Sequence, residues 1–179
     1  REIDGIVMGL TDHLPHGLTK DRIRPVKRVI VSAAVLPPFL IALGAWMSEQ
    51  YFCSLADALF TAIPPFPKRK QFEFAFPDSV KVARKGTYFV DGREAGRWVK
   101  YISTIQASLR REQRAVAIFP TLDRAQRFVE AVRQYTPKVT LFAANLPRAR
   151  RFRLWEKIAS GEFDCVVGTR LALFAPTPA

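Results

Sequence analysis

The sequence predicts an α/β chain: a mainly parallel sheet with helices over residues 86–179, preceded by a small α+β unit over residues 1–65. Three observations carry that expectation. From Gly86 onward, short runs of strand-forming residues alternate with longer stretches of helical apolar spacing, the pattern of strand–helix–strand crossovers. Before Pro64, two strand-like runs are followed by two helix-like ones. Between the two parts, residues 66–85 are rich in Pro, Phe and basic side chains and read as a linker.

In the first part, Ile3 to Leu10 is strand-like, punctuated by Gly5 and Gly9, and Thr11 to Thr19 reads as a loop with Pro15 and Gly17. Ile23 to Val31 predicts a second strand with a basic flank, and Pro25 places it at a sheet edge. Pro37 and Pro38 open a helix, since a first-turn N–H has no intrahelical partner to lose. Phe39, Leu40, Leu43, Trp46 and Met47 recur at helical spacing and form one apolar face. Ser54 is the N-cap of a second helix, which holds Leu55, Ala58, Leu59, Ala62 and Ile63 and ends at Pro64 and Pro65. Phe66, Phe72, Phe74 and Phe76 alternate through the linker around Lys68-Arg69-Lys70; they read as a short covering strand or as aromatics on a single-strand path.

In the second part, Thr87 to Val90 reads as a strand and Trp98 to Arg111 as a helix. Ala115 to Phe119 is a strand, and Leu122, Ala125, Phe128, Val129 and Val132 mark the next helix. Val139 to Ala143 is a strand, Pro147 to Ser160 a helix closed by Gly161, and Asp164 to Val167 a last strand. In such sheets ligands sit beyond the carboxyl ends of the strands.

The charge speaks of partners. With 28 Lys+Arg against 16 Asp+Glu, the chain carries a formal +12, which favours a polyanion such as nucleic acid. Apolar residues make up 49% of the chain, enough for a packed core. Cys53 and Cys165 are too few and too far apart for a metal-ligand pattern or a disulfide framework, and fit buried thiols of a reducing compartment. His13 and His16 lie in a loop without a third ligand and read as solvated. Val29 to Trp46, interrupted by Pro37 and Pro38, falls short of the roughly 20 apolar residues of a membrane span. The expectation is a cytoplasmic protein with no membrane partner, no metal and no cofactor. Arg1 stands in strand-like sequence and no initiator Met is present, so both ends read as cut. Arg148, Arg150, Arg151 and Arg153 crowd one helix and are either a solvated face or a phosphate-contacting stripe.

Three stretches carry a family resemblance. Gly161-Glu162-Phe163-Asp164-Cys165-Val166-Val167-Gly168-Thr169-Arg170-Leu171-Ala172-Leu173-Phe174-Ala175-Pro176 resembles a "G-E-x-x-I-V-I-G-T-R-S-A-L-F-x-P" segment, with Leu146 and Trp155 in step upstream. Arg22-Ile23-Arg24-Pro25-Val26 is similar to "K-L-K-P-V", and Trp46 to Pro64 to "W-x-A-x-Y-Y-x-x-P-x-G-x-V-L-x-x-A-L-P". These are segments of the primosomal protein N′ (PriA) family of superfamily 2 replication-restart helicases. The resemblance implies the C-terminal part of a 3′ DNA-binding domain over residues 1–65. It also implies an incomplete, degenerate RecA-like lobe over 86–179, with the family's winged-helix domain replaced by the linker.

One departure decides the expected chemistry. A phosphate loop needs G-x-x-x-x-G-K-[ST], whose N–H groups cradle phosphates, whose Lys reaches the outer phosphates and whose hydroxyl holds magnesium. Here the sequence is Asp91-Gly92-Arg93-Glu94-Ala95-Gly96-Arg97-Trp98. Arg97 stands in place of Lys and Trp98 in place of the hydroxyl residue, leaving Gly92, Gly96 and Arg97 as a degenerate nucleotide position. The family's "H-S-G-L" is Ala143-Ala144-Asn145-Leu146, with its polar groups reduced. The resemblance therefore implies a fork-recognising DNA-binding protein without catalytic residues of its own. Its implied partners are forked or single-stranded DNA, other primosome proteins and a single-strand-binding protein. Lys20, Arg22, Arg24, Lys27, Arg28, Lys68, Arg69, Lys70, Gly168, Thr169 and Arg170 are the expected DNA contacts. An active 3′-to-5′ helicase with an atypical nucleotide site and a basic protein–protein adaptor are the alternatives.

Overall fold

The computed structural model describes residues 3–14, 16–31, 35–64 and 92–177, with Ala95 described by its backbone alone. The linker 66–85, the expected strand at 87–90 and Asp91 lie outside the described residues, as do Lys68, Arg69 and Lys70.

The second part is a small α/β unit. Its strands β1 (Ala115–Ile118), β2 (Val139–Phe142) and β3 (Cys165–Gly168) form a parallel sheet in the order β1-β3-β2. Helix α3 (Glu94–Leu109) precedes β1, α4 (Leu122–Arg133) joins β1 to β2, and α5 (Arg148–Ala159) joins β2 to β3. The register aligns Val116 and Thr140 with Val166, and Ile118 and Phe142 with Gly168. Side chains alternate across a strand, so β3 feeds both faces. Cys165 and Val167 join Ile105 of α3 and Phe128, Val129 and Val132 of α4 in one core. Val166 joins Phe142 with Trp155 and Ile158 of α5 in another. The sheet is thus sandwiched by helices, and its central strand is buried on both sides, as parallel strands usually are.

Local chemistry sets the helix ends. The Thr121 hydroxyl accepts from the Arg124 N–H at the start of α4. After α5, Gly161 takes a left-handed φ of 79°, and two paired bonds close the helix: Gly161 N–H to Ile158 C=O at 3.0 Å and Glu162 N–H to Lys157 C=O at 3.0 Å.

The first part differs from the expected α+β unit. Its helices form as the sequence predicts: α1 (Pro38–Tyr51) begins at the paired prolines, and α2 (Leu55–Ala62) is capped by Ser54, whose hydroxyl accepts from the Asp57 N–H. The two expected strands do not form. Residues 3–10 and 23–30 carry no strand, Val31 alone has bridge geometry, and Lys20–Arg22 is a 3-10 turn. A strand needs a partner's backbone to satisfy its N–H and C=O groups. Without one among the described residues, Leu10 stays 95% and Val26 75% exposed.

Trp46 is set apart on α1. The inward stripe of α1 runs through buried Leu40 and Gly44 with partly buried Leu43 and Met47. Trp46 falls outside that stripe, half exposed, with its ring edge-on to Tyr51.

The two parts share packing. Leu36, Leu40, Leu59, Ala62 and Ile63 enclose Phe174, which belongs to a 3-10 turn (Arg170–Phe174) directly after β3. Leu171 of that turn touches this cluster and the α5-side core as well.

Candidate nucleic-acid interface

The expected DNA contacts fall into two described groups. Lys20, Arg22, Arg24, Lys27 and Arg28 lie along the N-terminal arm, all exposed. The 3-10 turn bends the arm at Lys20–Arg22, held by an Arg22 N–H to Thr19 C=O bond of 3.0 Å. Asp21 sits among these cations, its carboxyl pKa lowered chiefly by a bond from the Thr19 side chain and then by its own backbone N–H. Five cations against one carboxylate leave this short stretch strongly positive.

The second group is Gly168-Thr169-Arg170, at the carboxyl end of the central strand. Gly168 is required by close approach: a methyl there would overlap the Phe142 carbonyl oxygen and crowd Ala172 Cβ at 2.9 Å. Its own carbonyl accepts from the Phe119 N–H at 2.8 Å, which ties the exit of β1 to that of β3. Thr169 is extended and caps the following turn through its carbonyl, which accepts from the Ala172 N–H at 2.8 Å, while its hydroxyl makes no capping bond. Arg170 is exposed.

The degenerate nucleotide position has a definite shape. Gly92 has φ 122°, Arg93 is the N-cap, and α3 begins at Glu94, four residues before the expected Trp98. Gly96 and Arg97 therefore lie in the first turns of a regular helix. Trp98 is committed to the core, with its ring 5.5 Å from Phe128 and 6.4 Å from Phe119, edge-on to both. An indole so placed packs against the core and has no hydroxyl to offer a metal.

Sequence reasoning missed the groove beside it. A cavity of about 950 Å³ opens between α3 and β1, with Arg97, Lys100, Arg114 and Arg124 along it. Glu94, also on its rim, pairs with Arg124 at 3.7 Å. The Arg114 guanidinium donates to the Gly161 C=O at 3.3 Å, and its buried Nε has no partner among the described residues. The only signal in the sequence was the turn-to-turn spacing of Arg97, Lys100 and Thr104 along α3. Among the described residues there is no His, Cys, Asp and Glu cluster fit to hold a metal, and no helix long and apolar enough to cross a membrane. His13 and His16 are exposed in the arm.

Comparison with known proteins finds two similarities. Residues 1–64 match the family model of the PriA 3′ DNA-binding domain. The replication restart protein PriA of Treponema pallidum (strain Nichols) is 22% identical over 177 residues, covering 86% of this chain and 27% of that protein. The chain thus corresponds to about a quarter of the length of this curated relative. The domain match and the longer alignment agree with each other: residues 1–64 are similar to the PriA 3′ DNA-binding domain, and most of the chain is similar to part of a PriA protein.

Proposed function

We propose that this chain is a DNA-binding replication-restart factor that recognises stalled or branched forks, so that the replicative helicase is reloaded there, and that it has no helicase activity of its own. The observation that carries the reading is the domain match over residues 1–64, the stretch that holds the exposed cations Lys20, Arg22, Arg24, Lys27 and Arg28. Cations presented on an arm engage the phosphate backbone and release its counterions. On this reading residues 66–85 link that domain remnant to residues 86–179, a degenerate RecA-like lobe, and Lys68, Arg69 and Lys70 join the DNA path. Gly168, Thr169 and Arg170 meet the same path: the glycine permits close approach, and the Thr169 hydroxyl and Arg170 fork face phosphate oxygens. Other primosome proteins and a single-strand-binding protein are the partners it would meet at a fork, in the cytoplasm.

The absence of motor activity rests on the helix start at Glu94 and on Trp98. A phosphate cradle needs free N–H groups in a glycine loop and a hydroxyl at the Trp98 position for magnesium. Gly92, Gly96 and Arg97 retain at most one positive fork.

The test is binding of labelled forked, single-stranded and duplex DNA across a salt series, with and without an ATP analogue. Fork-preferring, nucleotide-independent binding is the expected result. DNA-stimulated ATP hydrolysis replaces this reading with an active motor. Weak binding equal for DNA and heparin replaces it with a protein–protein adaptor.

A further inference from the structure

We propose that the outer face of α5 is a second phosphate-binding surface, separate from the N-terminal arm, and that it takes the backbone of single-stranded nucleic acid. This rests on the DNA-binding reading above and locates a site on the part of the chain that the domain match does not reach.

Helix α5 is two-sided. Phe152, Trp155, Ile158 and Ala159 are buried against the sheet. Arg150, Arg153 and Lys157 recur three and seven residues apart, which puts them on one stripe on the opposite side, and all three are exposed. Arg148, in the first turn, is exposed as well.

This arrangement opposes the helix. The first turn of α5 holds no acidic residue, and the N-terminus already carries the positive end of the helix dipole. Cations three apart on one face also repel. Helix α4 shows how the same chain neutralises its arginines: Arg127 pairs with Asp123 at 3.0 Å, Arg133 with Glu130 at 2.6 Å and Arg124 with Glu94 at 3.7 Å. Among the described residues Arg148, Arg150 and Arg153 have no such carboxylate, and only Lys157 is paired, with Glu162 at 2.9 Å. The missing negative charge is what a ligand supplies.

Its chemistry follows from the side chains. A guanidinium is weakly hydrated and grips phosphate oxygens with two parallel donors. A docking protein would need apolar anchors as well, and no large apolar side chain of α5 is among the exposed ones. The face is also fixed in place. The Arg151 guanidinium folds back and donates to the Ala144 C=O at 3.1 Å, pinning the β2–α5 connection. That connection leaves the same edge of the sheet as Thr169 and Arg170, because Phe142 lies in register with Gly168. A strand crossing that edge would continue down the arginine stripe.

The experiment uses the 179-residue chain and its R148Q/R150Q/R153Q variant, with equal melting temperatures confirming the fold. Binding of a fluorescent oligo-dT is followed by anisotropy across a salt series. Loss of three contacts at about 0.7 per phosphate lowers the slope of log K against log salt by about 2, with an affinity loss of about tenfold or more at low salt. R127Q/R133Q, which removes paired arginines from α4, is expected to lose far less per charge. A triple variant that binds like the unmodified chain, or that loses no more per charge than the α4 control, overturns the α5 site and leaves the DNA-binding reading standing. An unmodified chain that binds no DNA removes that reading and the α5 site with it.

Discussion

The Thr136 hydroxyl donates to the Asp164 carboxylate at 2.8 Å and accepts from the Lys138 N–H at 3.1 Å. Thr136 is 4% exposed, the one buried polar residue among those described, and it stitches the entry of β2 to the entry of β3. Replacement by Val keeps the shape and strands both partners, so T136V is expected to cost about 1–3 kcal/mol in urea unfolding. T136S, which keeps the hydroxyl, should recover most of that loss. Equal midpoints for T136V and the unmodified chain would show that the bond contributes nothing net.

Gly168 offers a steeper test at the other end of the same strand. An added methyl meets backbone at Phe142, which cannot rotate away. G168A is expected to lower stability by about 2 kcal/mol or more, through strand displacement or a broken register. Thermal melting reads it directly, and an unchanged melting temperature would contradict the close approach.

Trp98 separates structure from lost enzymology. R97K/W98T restores the Lys and the hydroxyl of a phosphate loop, with Asp91 still at its first Gly, while deleting an indole that packs on Phe119 and Phe128. The expected outcome is a loss of about 2–4 kcal/mol with no DNA-stimulated ATP hydrolysis. Hydrolysis in this variant would mean that the helix start at Glu94 yields to nucleotide.

Cys165 and Cys53 should differ in reactivity. Burial, and secondarily the Asp164 charge, push the Cys165 thiol up to about 12, from an ordinary value of 9.0. At pH 8 a thiol reagent should modify Cys53, which is half-buried, well before Cys165, and both at once in denaturant. The sign for stability follows from linkage. A thiol whose folded pKa is raised stays protonated in the fold while the unfolded one ionises. Stability is therefore unaffected by this group below about pH 9 and falls by up to ~1.4 kcal/mol per pH unit as pH rises from there towards 12. C165A should flatten that alkaline slope in pH-dependent melting.

Much of the α/β part is legible in the sequence. Its helices bury narrow stripes at the expected spacing, Gly161 stops α5 where a left-handed residue is needed, and Gly168 marks the strand that both neighbours crowd. These are local signals that depend on few distant partners. Ser54 was legible for the same reason, since a cap acts within three residues. The arm was not. Alternation at Ile3 to Leu10 and Ile23 to Val31 describes what a strand would bury, and sequence does not say whether a partner strand is at hand. The early start of α3 was hidden because Gly96 reads as loop punctuation, yet one glycine costs a helix only about 1 kcal/mol. The groove beside α3 stayed invisible because Arg114 and Arg124 reach it from segments that meet α3 only after the sheet forms.

The short turn after β3 has a thermodynamic meaning. Phe174 is enclosed by α1 and α2, while Leu171 also touches the layer beneath α5. Melting either side exposes apolar surface on that shared turn, so neither half gains by leaving alone. The described residues should consequently unfold as one cooperative unit, giving a single calorimetric peak whose van't Hoff and calorimetric enthalpies agree. Cutting Leu171 and Phe174 to Ala would split that peak in two, because a few side chains behind one strand are what make two architectures share a melting point.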